Sequence, residues 1–135
     1  QGEDLGSFVD LASKYSMFVT FAGHMFDLPM LQKRFKMRFD QIHIDLCPTL
    51  KKAGVRGGLK KIEKEFGITR PPEVDGLNGL DAVKLWRRYK WHQDDRALKR
   101  LIEYNKADVI NLERLAEETY IRLRSLVYEP NLATV

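Results

Sequence analysis

Phe18–Pro29 reads FVTFAGHMFDLP, and the order of its residue types decides the fold. Strand-forming residues from Phe18 to Phe21 run into a turn holding Gly23, then a carboxylate at Asp27 and a proline suited to the first turn of a helix. A strand that ends in a glycine turn and an acid places that acid at a sheet's carboxyl edge, where open α/β folds collect ligands. Asp27 is the first candidate site residue.

Upstream, Leu5, Phe8, Val9, Ala12 and Tyr15 recur at helical spacing and predict an amphipathic helix over residues 4–15. Downstream, Met30, Leu31 and Phe35 mark a helix over 28–36, with Asp27 placed to cap its amino end. Ile42, Ile44 and Leu46 then alternate with His43 and Asp45, the period of a strand with two unlike faces. The sum is a strand, helix, strand unit, expected to be parallel and right-handed.

A basic segment follows Pro48, and Gly57 and Gly58 open a helix with Leu59, Ile62 and Phe66 on one side and Gly67 as its stop. Residues 70–79 hold two prolines and two glycines and read as loop. Leu80, Val83, Trp86 and Tyr89 mark another helix, and 91–95 a polar connector. A long helix is expected over 96–127, with Leu98, Leu101, Ile102, Val109, Leu112 and Leu115 on one arc and Glu103, Lys106 and Arg114 opposite. Asn105 and Asp108 project from within the apolar arc, and Tyr104 sits at its margin. A charge aimed at a core needs a partner or a metal.

At 135 residues, 44% hydrophobic and 31% charged, the chain fits one domain with a core. No stretch approaches the roughly 18 apolar residues that span a bilayer. The single cysteine, Cys47, cannot form an internal disulfide, so a reducing, cytoplasmic setting is expected. The net charge of +4 permits contact with a polyanion without demanding it. Basic residues cluster at Lys33 to Arg38, at Lys51 to Lys64 and at Lys84 to Lys90. Solvated faces and a phosphate-binding surface both account for them.

Only two strands are legible, and a two-stranded parallel sheet is not a stable free-standing core. The expectation is therefore a single partial α/β domain over 1–135 whose remaining strands precede residue 1. An open sheet edge invites pairing with a second copy, so a homo-oligomer is also expected.

If Asp27 and Asp108 point into a common cleft, they form a carboxylate cluster suited to magnesium or manganese. Two such ions about 4 Å apart activate water for phosphodiester cleavage. Tyr104 lies one helical turn before Asp108, roughly 6 Å along the axis, where its hydroxyl could orient that water. Plainer readings stand beside these. Asp27 serves as a helix cap, Asp108 as a core acid paired to an Arg or Lys, and Tyr104 as a core tyrosine with a satisfied hydroxyl.

FVTFAGHMFDLPMLQKRF resembles the second motif of DEDD-type 3'-5' exonucleases of the ribonuclease-H-like superfamily, and LIEYNKADVINLERL resembles their third motif in its tyrosine form. HIDL at His43, GLKKIEKEFGI at Gly58 and GLDAVKLWRRY at Gly79 are similar to a small bacterial and archaeal subgroup of predicted exonuclease domains. The resemblance covers nearly the whole chain in family order. It implies a truncated ribonuclease-H-like fold, nucleic acid as partner, and nucleoside monophosphates as products from a 3' end. Asp108 would be a metal ligand, Asp27 would complete a second magnesium or manganese site, and Tyr104 would position the attacking water. Gly23 would form the turn beside the substrate and Asn105 would shape the site. Lys60, Lys61 and Arg70 are candidate contacts to backbone phosphates.

Two departures qualify the match. Ala22 stands where the family usually has Asn, and the first motif, Asp-x-Glu, occurs nowhere in the 135 residues. With two of four carboxylates the chain is expected to bind magnesium weakly and to cleave little. The alternatives are a non-catalytic nucleic-acid-binding module on the same scaffold and a structural or protein-interaction domain.

Overall fold

The structure, a computed structural model, describes residues 5–128. Its contacts fall into two units, Gln1–Arg56 and Gly57–Val135.

In the first unit, helix α1 spans Gly6–Ala12, shorter than the expected 4–15. Residue 4 lies outside the described residues, and at the other end the N–H groups of Lys14 and Tyr15 turn back to the carbonyls of Leu11 and Ala12, a tightening that closes the helix. Strands β1, Met17–Thr20, and β2, Ile42–Asp45, pair in parallel with Met17 opposite Ile42 and Thr20 opposite Asp45. The period of two puts Met17, Val19, Ile42 and Ile44 on one face and Phe18, Thr20, His43 and Asp45 on the other. Phe18 meets Phe39 edge-on at 5.5 Å, while Phe8 of α1 stacks on Phe35 at 5.8 Å. These rings tie α1 and helix α2, Asp27–Phe35, to one another through apolar burial.

Two expectations for this unit need correction. Asp27 is the first residue of α2 rather than its cap, because Phe26 occupies the capping position and no side chain bonds there. The carboxylate acts instead as a negative charge at the helix's positive end, and Pro29 stands where no N–H is required. Leu46, expected to continue the alternation of the strand, instead starts helix α3, Leu46–Lys52, which takes in the first part of the basic segment. Asp45 caps it by accepting from the Cys47 N–H, and Pro48 fits the first turn for the same reason as Pro29. Leu46 and Leu50 are fully buried on its inner side.

The second unit holds α4, Leu59–Glu65, α5, Gly79–His92, and α6, Asp95–Tyr128. Gly67 has φ +68 and ends the α4 region as its position predicts. A reciprocal capping box starts α5: the Asn78 side chain accepts from Leu80 and Asp81, while Asp81 accepts from the Asn78 N–H. Only Gln93, in the left-handed region at φ 52, and Asp94 separate α5 from α6, so the expected connector over 91–95 is shorter than its polarity suggested. Asp94 accepts from Ala97 N–H at 3.1 Å and from Arg88 Nη2 at 2.6 Å. The backbone bond first, then the guanidinium, holds its carboxyl below the usual carboxylate range.

The two helices pack as a hairpin over a core of Val74, Tyr104 and Ala107, joined by Leu77, Ala82 and Leu101. The buried stripe of α6 differs from the arc expected. Ala97, Tyr104, Ala107, Leu115 and Thr119 are buried, whereas Ile102 and Val109 are 53% and 67% exposed. Tyr104 and Leu115 point inward with the smaller Ala97, Ala107 and Thr119 on the same face, while Asn105 is exposed and Asp108 is half-buried. Among the described residues, no helix is long and apolar enough to cross a membrane.

Candidate functional site

The turn after β1 is built by β2. Asp45 accepts from Ala22 N–H at 2.7 Å, from His24 N–H at 3.1 Å and from Cys47 N–H at 3.1 Å, so one carboxylate ties the turn to the start of α3. Thr20 Oγ1 accepts from Gly23 N–H at 3.2 Å and lies 2.8 Å from His43 Nε2. Two backbone demands meet in this turn. Ala22 sits at φ 62, a conformation L-residues adopt at a cost, and the Asp45 bond to its N–H holds it there. Gly23 is required by space, since a Cβ would lie 2.5 Å from the Thr20 side chain.

This turn delivers Asp27 to the first position of α2, exposed and with no hydrogen-bond or ion-pair partner among the described residues. In the same unit the His24 and His43 rings stack at 6.2 Å. They line a 730 Å³ cavity with Met25, Phe26, Cys47 and Lys51.

A second polar cluster lies in the other unit. Tyr104 and Asp108 project one turn apart from α6. Lys60 Nζ donates to the Tyr104 hydroxyl at 2.6 Å and sits 4.5 Å above its ring. Arg70 grips Glu63 through two bonds, Nε to Oε2 at 2.7 Å and Nη2 to Oε1 at 2.8 Å, with side chains 3% and 2% exposed. Asn111 Nδ2 donates to the same Glu63 at 3.1 Å.

Arg70 Nη2 also lies 2.6 Å from Asp108 Oδ1. That contact is one of charge rather than a well-aligned hydrogen bond, for Asp108 Oδ1 and Arg70 Nη1 are both buried without an aligned partner. Burial works against the Arg70 charge, but the hydrogen bonds to Glu63 and the negative charges of Glu63 and Asp108 outweigh it and raise the guanidinium pKa above its ordinary value.

The structure thus brings Lys60, Arg70, Tyr104 and Asp108 together, and leaves Lys61 and Asn105 exposed outside that cluster. Gly23 and Asp27 belong to the first unit. Sequence reasoning missed Asp45, Glu63 and Asn111. Glu63 carried a signal: it stands four residues after Leu59 and beside Ile62, inside an apolar stripe where a charge demands a partner. Asp45 carried one too, an acid directly before a segment with proline at its third position.

Magnesium and manganese take several oxygen ligands. Among the described residues, no group of three or more His, Cys, Asp or Glu side chains is placed to hold a metal ion. Asp108 already faces a guanidinium, so these residues as they stand do not fit a divalent cation.

Neither a curated protein nor a solved structure matches the chain. A family model, RNase_H_2, described as RNase_H superfamily, matches residues 3–120, a span that takes in the Gly23 turn and the Tyr104 to Asp108 turn of α6. The chain therefore belongs to the RNase H superfamily, whose domains are of nuclease type and act on nucleic acid.

Proposed function

We propose that this chain is the tyrosine form of a 3'-5' exonuclease domain, with Asp27, Tyr104 and Asp108 as its reactive side chains and residues 1–135 as one domain. The observation that carries this reading is the pairing of Tyr104 and Asp108 on one turn of α6, within the span matched by the family. A buried tyrosine needs its hydroxyl satisfied. Here Lys60 fixes that hydroxyl at 2.6 Å and leaves its own proton free to donate.

Magnesium or manganese is the cofactor this reading carries, and a reducing, cytoplasmic setting suits the free thiol of Cys47. Asp27 and Asp108 are too few oxygen donors for such an ion, and the sequence holds no Asp-x-Glu. Arg70 works in the same direction, since a fixed positive charge beside Asp108 repels a second cation. Low activity is expected for this chain.

The test is digestion of 5'-labelled single-stranded DNA and RNA with manganese, read as shortening from the 3' end. Slow shortening that vanishes in Asp108→Asn is the expected outcome. A second reading, a non-catalytic nucleic-acid-binding module, draws on the guanidinium that already occupies Asp108. Strand binding without any shortening, unchanged in Asp108→Asn, would establish that reading and reject the first.

A further inference from the structure

We propose that the outer face of α5 is a docking surface for single-stranded nucleic acid, made of residues other than those of the polar cluster on α6. The inference rests on the nucleic-acid reading above but concerns a surface that the exonuclease motifs do not include. α5 buries Leu85 and half-buries Ala82 and Tyr89, which fixes its inner side. Opposite them, at helical spacing, stand Leu80, Val83, Lys84, Arg87, Lys90 and Trp91, all exposed.

The charge on that face has one sign. Lys84 lies 3.5 Å from Asp81 at the side of the helix, but Arg87 and Lys90 have no carboxylate partner among the described residues. Each instead lies over an indole, Arg87 at 5.8 Å from the Trp91 ring and Lys90 at 5.5 Å from the Trp86 ring. The neighbouring Arg88 is spent on Asp94, so the free cations of α5 point one way.

Trp91 is 72% exposed, and Leu80 73%. An indole left in water beside an unpaired cation matches what a single strand presents: a flat base to stack on the ring and a phosphate to take the charge. A duplex hides its base faces and satisfies only the second demand. An acidic polypeptide also meets the charge but carries a ring only where an aromatic residue stands, whereas a single strand sets a base beside every phosphate, which selects the single strand as the occupant.

The chain supplies its own reporter, because its two tryptophans, Trp86 and Trp91, are both on α5. The experiment titrates the 135-residue protein with a short oligodeoxythymidylate, without metal, and follows tryptophan emission. Quenching that saturates with the strand is expected. Arg87→Gln/Lys90→Gln should weaken the strand's affinity roughly tenfold with circular dichroism unchanged, and Trp91→Ala should weaken it to a similar extent.

Binding with unaltered emission, wild-type affinity in the double variant, or no binding at all would each overturn the proposal. So would equal quenching by polyglutamate, which would make the partner an acidic chain. Shortening of labelled strands that persists in Arg87→Gln/Lys90→Gln at wild-type affinity would remove this surface and leave the exonuclease reading standing. Quenching and charge dependence without shortening would do the reverse.

Discussion

At the scale of single residues, the cluster around Arg70 separates a side chain that holds the unit together from one that is free to act. Glu63 takes two bonds from Arg70 with both side chains out of water, whereas Asp108 lies at the side of the same guanidinium and is 31% exposed. Removing one charge of a buried pair strands the other, so Glu63→Gln should cost about 3 kcal/mol in urea unfolding. Asp108→Asn leaves the Glu63 grip intact and should cost less than about 1 kcal/mol. Equal losses in the two variants would show that Asp108 is part of the same structural lock. The contrast also makes Asp108→Asn a fair probe of chemistry, because lost activity would not be lost fold. The sequence placed Tyr104 and Asp108 one turn apart on a helix, which needs only periodicity. It did not reveal that Arg70 stands between Asp108 and Glu63, since a contact between a loop and two helices leaves no local trace.

At the scale of elements, caps explain both what was legible and what was not. The strand, helix, strand order was legible from alternation and the Gly23 turn, and among the described residues the two strands pair in parallel as expected. Helix α3 is hard to read in the sequence because it is only seven residues long and continues directly from the alternating strand, so its start is marked only by the Asp45 cap and Pro48. Asp45→Ala tests that account: three backbone N–H groups lose their acceptor, and destabilisation of about 2 kcal/mol or more is expected in thermal melts. A neutral outcome would mean that water replaces the carboxylate at the turn.

Asp94 offers a pH test at the start of α6. Its carboxyl lies below the usual range when folded, so its contribution is complete above the ordinary carboxylate pKa and is lost as pH falls through the lowered folded value. Far-ultraviolet circular dichroism should therefore show helix loss in acid that is reduced in Asp94→Asn, which keeps a capping oxygen without the titrating charge.

At the scale of the whole molecule, the net charge of +4 understates the local asymmetry and overstates what is available to a polyanion. Lys60 is bound to Tyr104, Arg70 to Glu63, Arg88 to Asp94 and Arg100 to the Glu73 carbonyl. Cations engaged in this way release few counterions when a strand arrives, so salt dependence counts the remainder. If Arg87, Lys90 and one further lysine meet phosphates, the logarithm of the association constant should fall with the logarithm of salt at a slope of about −2 for single strands. Arg87→Gln/Lys90→Gln should bring that slope to roughly −0.7. A slope steeper than about −5 that survives the double variant would show that the other basic clusters bind the strand instead, and that α5 plays no part in it.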